Sequence, residues 1–237
     1  MKMIKMLCIA LALIVFCTGT VTAANISNPG IVNPYENFTV YSGDTLTINE
    51  SDVMVLDYFS ELIIEKGGTV VIYGRILTKD PADINNSGSI YNHGTFGPND
   101  WGYLYNHGYI ENTGYIPSSG NIINYELIEN QGQLSNLGYY NLVNYGVINN
   151  TGQIYNSFSD MINYGTINNC GEINNHGVFS NDGTVYGHTG SSFSGEISGN
   201  QIQWIDNPSY EVPEFPTIAL PMIAILGLAF IFRRRKD

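Results

Sequence analysis

Two glutamates, Glu111 and Glu129, are the residues of this sequence whose spacing most directly suggests chemistry. They occupy the same place in two copies of a repeated pattern. Paired carboxylates can bind a divalent cation, or they can divide the roles of general acid and general base. The repeated region contains no Lys or Arg, so the basic residue that a pectate-lyase-like mechanism would use is missing. We therefore expect a solvated acidic face and a protein that is not an enzyme.

Histidine and cysteine, the other common catalytic and metal-binding residues, are scattered along the repeat. The positions of His93, His107, His176 and His188 place them on different faces or in distant copies, which argues against a zinc site. Cys170 has no His partner nearby in the pattern, and we expect it to be an inert thiol. The sequence therefore predicts neither a metal nor a cofactor.

The pattern that sets these positions is a repeat of six residues, Φ-x-N-x-G-x, where Φ is apolar. Seventeen units fit between Ile84 and Gly190; all begin with an apolar residue, fourteen have Asn third and thirteen have Gly fifth. One apolar residue in six cannot form a helix face or a regularly alternating strand. It predicts short strands that each point one residue inward and then turn. We expect Gly to supply a positive φ at the turn and Asn to bond to the turn or to the Asn of the next copy.

Extra residues in the repeat reveal how many units make one coil. They occur in the third, ninth and twelfth units, and each therefore follows a complete set of three. The sequence predicts an all-β, three-sided parallel β-solenoid (β-helix) of about eight turns, with 18–20-residue coils and loops at one corner. The predicted coils begin at Ile84, Leu104, Ile122, Leu142, Met161 and Phe179.

The remaining chain divides into caps and targeting segments. Residues 1–23 read as a signal peptide with a helical apolar run, for which an uncleaved anchor is the alternative. Residues 24–83 are predicted to form the N-terminal cap and first coils, 84–190 the hexapeptide-repeat solenoid, and 191–212 a linker. A short hydrophobic helix is expected within 213–237.

The net charge of the chain is −12, and six of the nine basic residues lie in the two end segments. Between those ends only Lys66, Arg75 and Lys79 are basic. Such a surface repels nucleic acid, and we exclude nucleic acid as a partner.

The C-terminal tail combines a short motif, an apolar stretch and a basic end. Pro213, Glu214, Phe215 and Pro216 precede the apolar residues, and the chain closes on "RRRKD". This order resembles the archaeal PEF-CTERM sorting signal. The resemblance implies an exported protein held at the outer face of the membrane, processed by an archaeosortase and anchored by lipid in place of the tail. A retained single-pass membrane anchor is the alternative.

A candidate contact face follows from the fourth position of the repeat, where aromatic residues recur in successive coils. Its members would serve a partner, a sibling chain or an envelope glycan. The alternatives are a tyrosine ladder that stabilises stacked strands or a face covered by the linker or cap. The predicted face comprises His107, Ile123, Tyr125, Leu127, Val143, Tyr145, Val147, Ile162 and Tyr164.

Five sequons fit an exported protein. Asn25, Asn37 and Asn49 lie outside the repeat and are the better glycosylation candidates, whereas Asn85 and Asn149 are repeat positions. Together these features predict a structural or adhesive surface protein. A glycan-binding module is the second hypothesis, and a polysaccharide-degrading enzyme is the third.

Overall fold

A computed structural model describes residues 24–99 and 101–205, and every regular element in these ranges is a β-strand. The predicted signal helix, the predicted C-terminal helix and the sorting motif at 213–216 lie outside the described residues. The chain forms two compact units, Met1–Ile205 and Asp206–Asp237, and all described residues belong to the first.

Successive groups of three strands form one coil each. Coils one to three comprise β1 (Asn25–Ile26), β2 (Ile31–Val32), β3 (Asn37–Val40), β4 (Thr45–Ile48), β5 (Val53–Leu56), β6 (Glu61–Ile64), β7 (Thr69–Ile72), β8 (Arg75–Thr78) and β9 (Asp83–Asn86). Coils four to six comprise β10 (Ser89–Asn92), β11 (Thr95–Phe96), β12 (Tyr103–Asn106), β13 (Tyr109–Asn112), β14 (Tyr115–Ser118), β15 (Asn121–Asn124), β16 (Leu127–Asn130), β17 (Gln133–Asn136) and β18 (Leu142–Asn144). The later coils comprise β19 (Val147–Asn150), β20 (Gln153–Asn156), β21 (Asp160–Asn163), β22 (Thr166–Asn169), β23 (Glu172–Asn175), β24 (Val178–Asn181), β25 (Thr184–His188), β26 (Ser192–Ser194), β27 (Ser198–Gly199) and β28 (Gln203–Ile205).

Every third strand pairs in parallel with its equivalent in the next coil, and three sheets result. Sheet 1 has ten strands and begins with β1, sheet 2 has nine and begins with β2, and sheet 3 has nine and begins with β3. The predicted three-sided parallel β-solenoid is thus confirmed, with about nine turns. The predicted coil starts are register partners along sheet 3: Ile84, Leu104, Ile122, Leu142, Met161 and Phe179.

Coil length is 18–20 residues throughout the repeat, as the equivalent asparagines of neighbouring coils show. The first coils are longer. Asn37 pairs with Glu61, 24 residues on, and Val53 pairs with Arg75, 22 residues on. The additional residues enlarge turns and leave the strands in register.

The core contains two inward residues per strand, where the sequence pattern predicted one. In the first coils both inward residues are aliphatic, as in β4, where Leu46 and Ile48 are fully buried. From β9 onward the second inward residue is usually Asn, and these asparagines are as buried as the isoleucines. The prediction was wrong because a polar residue was assumed to face solvent or the turn.

The buried asparagines satisfy one another along the axis. The Nδ2 of Asn124 donates to the Oδ1 of Asn144 at 2.7 Å and to the backbone oxygen of Val147 at 3.1 Å. The predicted bond between asparagines of adjacent coils is therefore confirmed. Three such ladders occur, with Asn86, Asn106, Asn124, Asn144, Asn163 and Asn181 in sheet 3, Asn92, Asn112, Asn130, Asn150 and Asn169 in sheet 1, and Asn136, Asn156 and Asn175 in sheet 2.

The glycines at the fifth position do not have the positive φ that we predicted. Glycine is required at these positions for steric reasons, because the corners of successive coils lie directly on one another. A Cβ on Gly146 would collide with the backbone oxygen of Glu126, and a Cβ on Gly165 would collide with that of Gly146. Glycine is needed here for close backbone approach and not for a left-handed turn.

The segment predicted as a linker, 191–212, belongs to the solenoid as far as it is described. β26, β27 and β28 pair with strands of the preceding coil. Phe193 of β26, and Ile197 and Ile202, which directly precede β27 and β28, pack against the core while partly exposed. The pattern was missed because Ser and Gly surround these apolar residues at irregular spacing.

Candidate functional site

The aromatic column of the predicted contact face is formed as a stack. It lies at the corner where sheet 3 passes into sheet 1. The ring centroids are separated by 4.4 Å between His107 and Tyr125, 5.3 Å between Tyr125 and Tyr145, and 5.1 Å between Tyr145 and Tyr164. The interplanar angles are 6°, 8° and 12°.

This geometry limits what the stack can bind. Because each ring lies nearly parallel to the next, neighbouring rings cover one another's faces and leave mainly their edges to solvent. A sugar or an apolar partner gains most from an exposed ring face. The arrangement therefore favours the alternative in which the ladder stabilises stacked coils.

The apolar residues beside the ladder also align from coil to coil. Ile123, Val143 and Ile162 are register partners on sheet 3, and Leu127 pairs with Val147 on sheet 1. All are half-buried. The structure thus brings the predicted face together, while its role in contact remains a proposal.

Glu111 and Glu129 are register partners on the outer surface of sheet 1, as predicted. The hydroxyl of Tyr109 donates to Glu111 Oε2 at 3.1 Å, and the Nδ2 of Asn149 donates to Glu129 Oε1 at 2.7 Å. Partial burial, and then the charge of Glu111, raise the pKa of Tyr109, which stays a protonated donor. Both carboxylates therefore accept a hydrogen bond, Glu111 from its own strand and Glu129 from the next coil.

A second acidic pair, which the sequence pattern missed, lies on sheet 3. Glu61 and Asp83 are register partners, and the Nδ2 of Asn85 donates to Glu61. Partial burial, assisted by the charge of Glu61, raises the pKa of Asp83 although the Tyr103 backbone N–H donates to its carboxylate at 2.8 Å. The repeat pattern could not predict this pair, because Glu61 precedes the regular repeat.

The histidines and the cysteine remain apart. His93 bonds through Nδ1 to the Thr113 hydroxyl at 2.7 Å, and His176 lies against Tyr155. Partial burial raises the pKa of the Cys170 thiol. Within 24–99 and 101–205, no cluster of three or more His, Cys, Asp or Glu residues is arranged to hold a metal ion.

The predicted glycosylation residues differ in accessibility. Asn25, Asn37 and Asn49 are exposed, whereas Asn85 and Asn149 are half-buried. The Nδ2 atoms of Asn85 and Asn149 donate to Glu61 and Glu129, and that of Asn49 donates to Asp52, so exposure is what separates the two groups. The structure therefore keeps the first three as the better candidates.

The largest group of exposed aromatic residues lies at a different corner, where sheet 2 passes into sheet 3. We call it the aromatic ridge. A usable signal was present in the sequence, since each of the three expanded repeat units carries an aromatic residue in its added loop. The ridge comprises the exposed Tyr35, Phe59, Trp101, Tyr139 and Phe158, together with the half-buried Tyr140.

The described residues thus define a β-solenoid whose outer surface carries a stacked ladder, two acidic pairs and an aromatic ridge. Residues 212–236 match the family model of the PEF-CTERM archaeal protein sorting domain, which confirms the predicted sorting signal. This domain implies an exported protein that is processed by an archaeosortase and anchored at the cell surface through its C terminus. No curated protein and no solved structure matches the chain.

No helix long and apolar enough to cross a membrane occurs in the part of the chain that the structure describes.

Proposed function

We propose that this protein is a non-enzymatic surface rod with a structural or adhesive role. One observation carries the proposal: a sorting domain at 212–236 follows a β-solenoid of about nine turns. The sorting domain supports anchoring at the cell surface. A solenoid supports a structural role because its stacked coils form an extended scaffold whose surface can be lengthened without a new core.

The proposal also covers the processing of the N-terminal and C-terminal segments. Residues 1–23 act as the export signal, and the tail after Pro213–Pro216 is exchanged for a lipid anchor. The alternative is that the apolar segment is retained as a single-pass anchor. Exposed Asn25, Asn37 and Asn49 carry glycans on the exported protein.

The hydrogen bonding of the acidic column supports a non-enzymatic role. A general acid and a general base need a substrate held between them. Glu111 and Glu129 instead occupy successive strands of an outer sheet surface and accept hydrogen bonds from Tyr109 and Asn149. The bond from Asn149 joins neighbouring coils and the bond from Tyr109 lies within one strand, and both favour a structural role over the polysaccharide-degrading alternative.

The test is the mass and location of the mature protein. The full chain is expressed in an archaeal host that has an archaeosortase, and the cell envelope and medium are separated. We expect the wild-type protein in the envelope, without its signal and its tail, and with the added mass of a lipid. The Glu214→Ala/Phe215→Ala variant should retain the tail because its recognition motif is lost.

Glu211→Ala, which lies just outside the motif, serves as the control and should be processed normally. Release of the wild-type protein into the medium would contradict surface anchoring. Equal processing of the motif variant would contradict recognition through Pro213–Pro216. An unprocessed tail in an envelope-bound wild-type protein would establish the single-pass alternative.

A further inference from the structure

The aromatic ridge is the most unusual surface of the described rod. Tyr139 is 91% exposed, Phe158 78%, Tyr35 76% and Trp101 67%. Large aromatic side chains normally bury much of their surface in a core or an interface. The ridge residues lie at one corner in the first, second, fourth, sixth and seventh coils, and they span about 30 Å at about 4.8 Å per coil.

Backbone geometry provides an independent indication that these side chains serve a purpose. Among the described residues, those other than glycine with positive φ are Tyr35 at 64°, Phe59 at 55° and Trp101 at 47°. All three belong to the ridge. A left-handed conformation is unfavourable for a bulky residue, and glycine would adopt it readily. Retention of an aromatic residue at such positions points to a function for the side chain.

Two rings of the ridge, those of Tyr35 and Phe59, stack on each other as the ladder rings do, with centroids 5.1 Å apart and an interplanar angle of 6°. The later rings of the ridge are presented differently from those of the ladder. Trp101 and Tyr140 are tilted by 58° with centroids 5.8 Å apart, so neither face of the indole is fully covered by this contact. No ring among the described residues stacks on Tyr139 or Phe158. Ring faces are therefore available to a ligand here, unlike those of Tyr145.

The shape of the ridge favours a narrow ligand over a protein. A stable protein interface buries about 800 Å² on each partner. The ridge follows a single corner between two sheets, where a second copy or another folded protein would contact only a narrow strip. A single extended polymer chain matches this width and can contact successive coils.

The charge of the corner selects an uncharged polymer. The nearby ammonium of Lys79 is paired with Asp57 at 3.0 Å. Glu36 adds another negative charge beside Tyr35, and the whole chain carries −12. An anionic lipid surface, an acidic glycan or a nucleic acid would therefore be repelled. Flat apolar rings interspersed with amides such as Asn99 and Asn141 suit the C–H faces and hydroxyls of sugars.

We propose that the aromatic ridge binds an uncharged polysaccharide, whose pyranose rings lie against Trp101, Tyr139 and Phe158. Binding is non-covalent and requires no bond to be made or broken. The site is distinct from the predicted contact face at the ladder. It does not depend on the fate of the tail, so failure of anchoring would leave this inference standing.

The test uses the mature protein purified from the cell envelope in detergent, with cellohexaose, chitohexaose and mannan as uncharged probes and polygalacturonate as the charged one. We expect calorimetric binding to at least one uncharged probe, little change between low and high salt, and no binding to polygalacturonate. Trp101→Gly should weaken binding at least tenfold. Its melting temperature should not fall, because glycine adopts a φ of 47° without strain.

Phe158→Ala is the second ridge variant and should also weaken binding. Tyr145→Leu is the matched control, because this ladder residue is 50% exposed but has covered ring faces. Its binding should equal that of the wild type. Absence of binding to every uncharged probe, or equal binding by both ridge variants, would overturn the proposal.

Two further measurements would assign a different binding partner to the ridge. Binding to anionic phospholipid vesicles that Trp101→Gly abolishes would identify a membrane-contact surface. Concentration-dependent dimerisation in analytical ultracentrifugation that Trp101→Gly abolishes would identify an interface between copies. Either result would overturn the polysaccharide assignment.

Discussion

At the scale of single residues, asparagine is as important to this fold as isoleucine. A buried amide is stable only if its donors and acceptor are satisfied. Asn124 meets this condition through Asn106 below it, Asn144 above it and the backbone oxygens of Glu126 and Val147. The polar core therefore specifies the stacking position of each coil, which an aliphatic core alone would not do.

Substitution of one ladder asparagine should be costly. Asn124→Ala leaves the Nδ2 of Asn106 and the Oδ1 of Asn144 without their side-chain partner and creates a small cavity. We expect the free energy of unfolding to fall by about 3 kcal/mol. Chemical denaturation of wild type and variant measures the difference.

Asn149→Ala is the matched control, since Asn149 also bonds to residues of the coils below and above but lies on the outer surface. Water can replace its bonds, and we expect a loss below about 1 kcal/mol. Equal losses of unfolding free energy in the two variants would show that the buried asparagines contribute no more to stability than the exposed ones.

At the scale of the strand and turn, the hexapeptide unit is governed by how closely corners can stack. The first apolar residue sets the core, the third forms the ladder, and the fifth lies where one backbone passes over another. Gly146 and Gly165 belong to this last group. The positive φ values of the described glycines occur elsewhere, for example at Gly190.

Two alanine substitutions separate steric from conformational demands on glycine. Gly146→Ala should reduce stability by about 3 kcal/mol, because its Cβ would overlap the backbone oxygen of Glu126. Gly190→Ala should cost about 1 kcal/mol, because its φ is 89° but open space surrounds the new Cβ. Thermal unfolding followed by circular dichroism measures both. A larger loss for Gly190→Ala would contradict the steric explanation.

The same scale shows what the sequence could predict. The period of six and the insertions in the third, ninth and twelfth units were sufficient for the sheets, the coil length and the column of Glu111 and Glu129. The inward direction of Asn and the reason for Gly depend on the coil above, which a single unit does not reveal. The ridge was missed because its residues lie before the repeat or in its insertions, outside the pattern that aligned the columns. Its strained members, such as Trp101, could only be recognised from backbone angles.

At the scale of the whole rod, each coil is stabilised mainly by the coils immediately above and below. Within the described residues, the end coils contact only one other coil, and some of their inward residues are incompletely covered. Phe38 in the first coil and Phe193, Ile197 and Ile202 in the last are only partly buried. The central coils, by contrast, bury all their inward residues.

We therefore expect opening to proceed from the ends. Hydrogen exchange of the full-length protein should show the highest protection in β16, β19 and β22, and lower protection in β26 and β28. Mass spectrometry of peptides from these strands measures the difference. Equal protection from β4 to β28 would instead indicate that the described rod unfolds as one cooperative unit.

The confinement of extra residues to particular turns has a consequence for how such a protein can change over generations. Each coil presents the same packing surface of amide and aliphatic groups to the next coil. A whole coil can therefore be duplicated or lost without changes in its neighbours. The number of coils, and with it the length of the solenoid, can then evolve separately from the side chains on its surface. Duplication of a coil changes the length, whereas substitutions in the loops change the surface side chains.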